Sequence, residues 1–288
     1  MAVNAATAPY RMFRQHRLGF RISGLVTRIA PGAHKLMLRS FYNTFSRRAA
    51  DLPVQFLNLG YEPISRAAPW LTLSPEEEPY RYGVQLYHVV ASALDLAGKD
   101  VLEVGCGRGG GSLFVMRRHR PHSVIGVDFA PSAVAYCRAH HHEVGLSFEQ
   151  ADAESLPFSE CTFDVVINVE SSHCYPSMKR FLGEVARVLR SGGYLLFADF
   201  RNFADLDTLR GQFEDAGLSI VLEEEITEGV ARALDLYSDA KTSLIEGKAP
   251  KVWQKLLREV SAVKSADTYH YFRSGEFRYF RFVLKKEV

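Results

Sequence analysis

Residues 168–176 read NVESSHCYP, placing Glu170 and His173 directly after the apolar run FDVVIN with no Gly or Pro between them. Both groups are costly to bury unpaired. Either can take a proton near neutral pH when its surroundings tune it. Earlier in the chain, VLEVGCGRGGG puts Gly105 and Gly107 where a strand must turn sharply, and residues without side chains let a ligand approach the backbone closely. Glu103 precedes these glycines, an acid where a positively charged ligand is expected. Asp128 follows about 20 residues past the loop, where an acid can take both ribose hydroxyls of an adenosine. Phe129 beside it can pack on the adenine ring, Asp152 can accept from the adenine amino group, and the Ala153 backbone can read the ring edge. The loop is E-x-G-x-G-x-G rather than G-x-G-x-x-G, and GxxxxGK[ST] is absent, so a phosphate-binding loop is not indicated.

These residues need a scaffold that brings strand ends together. From about residue 84 the chain alternates: helix VQLYHVVASALDL, strand DVLEVG, helix GSLFVMRRHR, strand SVIGVDF, helix PSAVAYCRAHHHEV, strand LSFEQAD, strand FDVVINVE, helix MKRFLGEVARVLR and strand GYLLFADF. This rhythm predicts a parallel sheet covered by helices on both faces, with short apolar strands buried on both sides. Residues 205–226 predict a further helix and strand, and 228–265 a helical insertion with Trp253 and Leu256 on one face. EFRYFRFVLKK closes the chain as a late strand. Residues 1–83 lack the rhythm and predict a helical amino-terminal cap over a core of residues 84–288.

With 288 residues, 47% of them hydrophobic, the chain can bury a large core. A net charge of +2 gives no case for nucleic acid, and neither a broad basic groove nor an NPPY-type motif appears. Charge is nonetheless uneven. Residues 1–50 carry nine Arg or Lys and no acid, with Arg11, Arg14, Arg17 and Arg21 at roughly helical spacing. Such an arm fits a transit peptide, a helix on anionic lipid, a strap over a negatively charged substrate, or a solvated face. Four cysteines without CxxC spacing and no apolar signal region predict a reduced, cytoplasmic setting. His140, His141 and His142 are consecutive and cannot all face one metal, so no metal site is expected there.

Taken in order, VLEVGCGRGGG, VIGVDFAPSAVAYCR, DAESLPFSECTFDVVINVESSHCYP and FLGEVARVLRSGGYLLFADFR resemble the motifs of the class I S-adenosylmethionine-dependent methyltransferases, over about residues 84–226. The resemblance implies an α/β fold: a Rossmann-like, doubly wound, seven-stranded sheet with EFRYFRFVLKK as its one antiparallel strand. It also implies S-adenosylmethionine lying across the sheet's carboxyl edge, held by Glu103, Gly105, Gly107, Asp128, Phe129, Asp152, Ala153 and Asn168, with Glu170 and His173 as catalytic candidates beside the transferable methyl. Within the superfamily the chain is most similar to bacterial lipid and polyketide O-methyltransferases of the phthiotriol and fatty-acid type, and to terpenoid C-methyltransferases that act on a geranyl chain.

Two acceptor chemistries follow. An alcohol or carboxylic acid needs its proton removed or already absent, a task for His173, the natural choice, or for Glu170. An alkene leaves a carbocation, which a carboxylate such as Glu170 in an apolar, aromatic pocket both stabilises and deprotonates. C-methylation of an isoprenoid chain, such as a prenyl diphosphate, is the leading expectation, and O-methylation of a lipid or polyketide oxygen the alternative. A diphosphate would need Arg, Lys, Tyr and a magnesium ion held by scattered acids, because no DDxxD-like motif is present. The expected partner is a small lipophilic acceptor, with membrane contact through the basic arm and assembly into a homo-oligomer left open. A sensor or interaction module on the same fold would be favoured by a degenerate glycine loop or a missing ribose acid, and neither is seen.

Overall fold

The computed structural model describes residues 31–49, 52, 54–64 and 71–287. Arg11, Arg14, Arg17 and Arg21 of the basic arm lie outside the described residues. Helix α1 (Pro31–Arg48) precedes a connection to α2 (Arg81–Ala91), where the regular pattern begins. There follow β1 (Asp100–Val104), α3 (Gly110–His119), β2 (Ser123–Asp128), α4 (Pro131–His140), β3 (Leu146–Gln150), β4 (Phe163–Val169), α5 (Met178–Val188), β5 (Leu189–Asn202), α6 (Leu206–Asp215) and β6 (Leu218–Glu225). After β6 come α7 (Thr227–Lys248), α8 (Lys251–Val260), α9 (Asp267–Ser274) and β7 (Phe277–Lys286).

The seven strands form one sheet in the order β3-β2-β1-β4-β5-β7-β6, with β7 antiparallel to both neighbours and the strands β1 to β5 parallel to one another. β4, FDVVINV, lies between β1 and β5 and is apolar at nearly every position because both of its faces are covered. On one face the core gathers Val84, Leu86 and Tyr87 of α2 with Phe114, Val230 and Leu234. On the other, Phe181, Leu182, Val185 and Val188 project from α5 at helical spacing and meet Leu209 and Phe213 of α6. The acidic run ending β6 is matched by arginines: Glu223 pairs with Arg210, Glu224 with Arg281 and Glu225 with Arg278.

The strand order reverses between β1 and β4, which opens a crevice at their carboxyl ends where ligands bind in open α/β sheets. Helix α1 packs on α4 beside it. Asn43 Oδ1 accepts from the Ser132 N–H at 3.0 Å, and the Asn43 carbonyl accepts from Ser132 Oγ at 2.8 Å. Arg108, in the glycine loop, is 1% exposed. Its guanidinium donates to the carbonyls of Ser46, Ala49 and Leu52 and lies 3.5 Å from the centre of the Tyr136 ring.

Two local expectations differ. Helix α4 ends at His140 instead of running through HHHEV: His141 turns inward, and its Nε2–H donates to the Arg108 carbonyl at 2.8 Å, a bond that an exposed helical position could not make. In α8 the inward line runs through Trp253 and Leu257, while Leu256 is 41% exposed. Trp253 stacks on Phe41 of α1 and Leu257 packs on Ile245 and Val263, leaving Leu256 without a facing element among the described residues. All four cysteines are free, and among the described residues no helix is long and apolar enough to cross a membrane.

Arg108→Met keeps the bulk but leaves three carbonyls without their donor. We expect a loss of about 2–4 kcal/mol in urea unfolding. An unchanged midpoint would show that the tie between cap and loop contributes nothing to stability.

Candidate active site

The turn after β1 is built on glycine for steric reasons. Gly105 has φ +79°, and a Cβ there would lie 2.3 Å from Ser171 Oγ and 2.8 Å from the Tyr175 hydroxyl. The Gly107 N–H donates to Asp128 Oδ2 at 2.9 Å and the Ala130 N–H to Oδ1 at 2.8 Å. Burial nevertheless dominates at Asp128 and pushes its pKa up to about 6, so a group offering further donors would stabilise its ionised form. Asn168 is fully buried at the end of β4. Its Nδ2 donates to the Val104 carbonyl, Ser171 Oγ and the Tyr175 hydroxyl, whereas its Oδ1 has no partner. An unpaired buried oxygen beside the glycine turn fits a ligand that brings donors.

The other residues expected around a nucleoside are close by, but several are engaged within the protein. Glu103 lies beneath the loop, where Tyr87 donates to one oxygen at 2.5 Å and Ser112 to the other. Desolvation raises its pKa against those two bonds. Asp152 Oδ2 pairs with Lys35 of α1, and its Oδ1 accepts from the Glu154 N–H. Lys35 also bonds Glu154 at 3.0 Å. Phe129 carries Lys35 and Arg39 over its ring, at 5.5 and 5.1 Å from the centroid. Ala153 is buried between Asp152 and Glu154. Helix α1 therefore covers the part of the crevice where adenine is expected.

Glu170 turns inward. Its φ of +46° is left-handed, a conformation that costs a non-glycine residue about 1–2 kcal/mol. Two bonds hold it there. Its N–H donates to the Ala198 carbonyl at 2.8 Å, and both carboxyl oxygens accept from the Leu59 N–H, at 3.0 and 2.9 Å. Leu59 belongs to the stretch that crosses the sheet's carboxyl edge, pinned where the Tyr61 N–H meets the Tyr82 carbonyl and the Glu62 N–H meets the Gly229 carbonyl. The buried Tyr279 hydroxyl of β7 faces the same carboxyl without forming a bond of ordinary geometry. Burial pushes Glu170 up to about 7; the Leu59 N–H works against the rise and the Asp199 charge adds to it.

Asp199, at the end of the neighbouring strand β5, is 1% exposed and ionised. It accepts from Ser172 Oγ at 2.6 Å, the His173 N–H at 3.0 Å, His173 Nδ1 at 2.9 Å and the Phe200 N–H at 2.9 Å, and pairs with Arg201 at 3.1 Å. Burial opposes its charge, but His173 and Arg201 outweigh it and hold the carboxyl well below the usual range. Burial would likewise lower His173; Cys174 and Asp199 overcome it and hold the imidazole well above its ordinary pKa. His173 is thus a cation at neutral pH with Nδ1 committed to Asp199, whereas Glu170 titrates near 7. Of the two groups, Glu170 is the one able to accept a proton there.

Sequence reasoning did not name Asp199, Leu59, Tyr279 or Lys241, whose Nζ lies 3.5 Å from the Leu59 carbonyl. Asp199 had a legible signal, a lone acid in the apolar run LLFADF, the same feature that drew attention to Glu170. The Leu59 contribution is a backbone N–H and has none. Among the described residues no group of three His, Cys, Asp or Glu side chains converges as a metal site.

Because the folded pKa of Glu170 lies above the ordinary 4.5, its stabilising contribution is complete below that value and is lost as pH rises through about 7. Glu170→Gln, neutral throughout, should match the wild-type melting temperature at about pH 4 and exceed it by about 2–4 °C at about pH 8. Parallel melting curves across that range would mean the carboxyl is not held in a desolvated site.

Comparisons with known proteins agree with this architecture. A family model described as a methyltransferase domain matches residues 102–197, the stretch from β1 into β5. The chain is 38% identical over 260 residues to a fatty-acid O-methyltransferase of Mycolicibacterium smegmatis, covering 90% of this chain and 93% of the relative. It is 35% identical over 254 residues to a phthiotriol/phenolphthiotriol dimycocerosates methyltransferase of Mycobacterium leprae, covering 88% and 93%. Among solved structures, geranyl diphosphate C-methyltransferase from Streptomyces coelicolor superposes with a TM-score of 0.60 at 17% identity over 85% of this chain and 98% of that one, a likeness of fold. With relatives matched at this identity over nearly the whole chain, the protein belongs to the S-adenosylmethionine-dependent methyltransferases.

Proposed function

We propose that this methyltransferase acts on an oxygen, hydroxyl or carboxyl, of a lipid-like acceptor. The observation that carries the reading is the near full-length similarity to a fatty-acid O-methyltransferase, joined to a strand-end carboxyl poised near pH 7. The carbocation route to an isoprenoid, expected first from the sequence, has support only from structures such as the geranyl diphosphate enzyme at 17% identity, which speak for the scaffold. The magnesium tied to a diphosphate acceptor loses its ground with it.

In this reading Gly105, Gly107, Asp128, Phe129, Asp152, Ala153 and Asn168 hold S-adenosylmethionine, and Glu103 supports the loop from below through Tyr87 and Ser112. Bound there, the cofactor supplies a methyl group on cationic sulfur. Glu170 takes the proton of a hydroxyl acceptor; a carboxylate acceptor arrives without one. His173, kept cationic by Cys174 and Asp199, holds the 172–174 turn in place and keeps a positive charge beside Glu170. Lys35 and Arg39 withdraw from Asp152 and Phe129 when the adenine is seated. Four unpaired cysteines suit a reduced, cytoplasmic setting for this chemistry.

Incubation with methyl-labelled cofactor and a panel of long-chain fatty acid, long-chain alcohol and geranyl diphosphate should place label on oxygen, as methyl ester or ether. Label recovered solely on carbon would sink the proposal. Glu170→Gln should lower kcat on the alcohol at least about 100-fold while the cofactor Kd stays within threefold; undiminished turnover would remove Glu170 as the base.

A further inference from the structure

We propose that Lys241 is an acceptor-binding residue that selects a carboxylate over a hydroxyl. This rests on the oxygen-methylation reading above and deepens it. Lys241 projects from α7, and its ammonium points inward, 3.5 Å from the Leu59 carbonyl and 5.2 Å from the centre of the Tyr237 ring. Among the described residues no carboxylate lies within ion-pair distance of it. The same Leu59 that offers its carbonyl to Lys241 gives its N–H to Glu170, so the cation and the proposed base sit on either side of one residue's backbone. The rings of Tyr82 and Tyr237, 5.5 Å apart, line the Lys241 side.

A half-buried cation whose contacts among the described residues are one long carbonyl contact and a ring face is under-compensated. Burial lowers its pKa to about 8, and the Glu170 charge only partly restores it. An incoming anion would therefore gain a charge-assisted bond and relieve the unpaired ammonium together. One ammonium matches the single charge of a carboxylate. In the reaction, one carboxylate oxygen forms the O–CH3 bond as the methyl–sulfur bond breaks, and that electron pair stays on sulfur. No proton is transferred, and the acceptor's negative charge cancels the sulfonium's positive one.

Calorimetric titration of the full chain, saturated with S-adenosylhomocysteine, with decanoate and with 1-decanol tests this. Wild type should bind decanoate at least tenfold more tightly than decanol. Lys241→Met should weaken decanoate at least tenfold and change decanol less than threefold, and Lys241→Arg should recover most of the decanoate affinity. Melting curves of both variants report their folding, and the arginine variant keeps the comparison valid if the methionine variant is unstable. Equal decanoate affinity in wild type and Lys241→Met, an equal loss for both ligands, or no preference for decanoate in wild type overturns the assignment. Decanoate bound through Lys241 without formation of methyl ester would leave this inference standing and count against oxygen methylation of such an acceptor. Methyl ester formed with the same KM by Lys241→Met would do the reverse.

Discussion

The carboxyl edge of the sheet is organised around the buried charge of Asp199. A carboxylate taken out of water must be met by donors and cations, and here they come from its own strand, from the 172–174 turn and from Arg201. Meeting that demand fixes the turn after β4. It also holds His173 as a cation and raises the cost of a second negative charge on Glu170 in the next strand. Together with burial at Glu170 and Cys174 at His173, which act more strongly, this acid pushes the protonation of its two neighbours apart, the arrangement by which sites run acid and base chemistry at one pH.

The second organising contact is the Leu59 N–H on the Glu170 carboxyl. It draws an irregular segment across the crevice and links the glutamate, through Tyr61 and Glu62, to α2 and α7. The left-handed backbone at Glu170 is tolerated because these contacts over-determine it. The glutamate thus joins two parts of the molecule: parallel strands that deliver it, and the segment around Leu59 that supplies the donor for its carboxyl.

Most of the scaffold was legible because its signals are local and periodic. VVINV can be little else than a central parallel strand, Gly105 sits where no Cβ fits, and EFRYFRFVLKK is an apolar, aromatic run that forms β7, buried except at its arginines and final lysines. Glu170 and His173 stood out as charge following an apolar run. What stayed hidden depends on distant pairings. The balance between the two groups is set by Asp199 and Cys174 around His173. It is set by Leu59, remote in sequence, around Glu170, so histidine looked the natural base for oxygen chemistry until its partners were placed. Lys241 sits in a polar stretch of α7, DAKTSLIE, where nothing marks it from a solvated lysine. The acceptor was harder still, because lipid O-methylating and terpenoid C-methylating enzymes share one scaffold and differ in what lines the space above it.

Trp253 stacks on Phe41 with ring centroids 5.6 Å apart, and Arg48 lies 5.3 Å from its ring. It is one of two tryptophans in the chain. A fluorophore packed against the helix that carries Lys35 and Arg39 gives the protein its own optical gauge of that helix's position. With the other tryptophan replaced, emission would report any displacement of that helix with no label added.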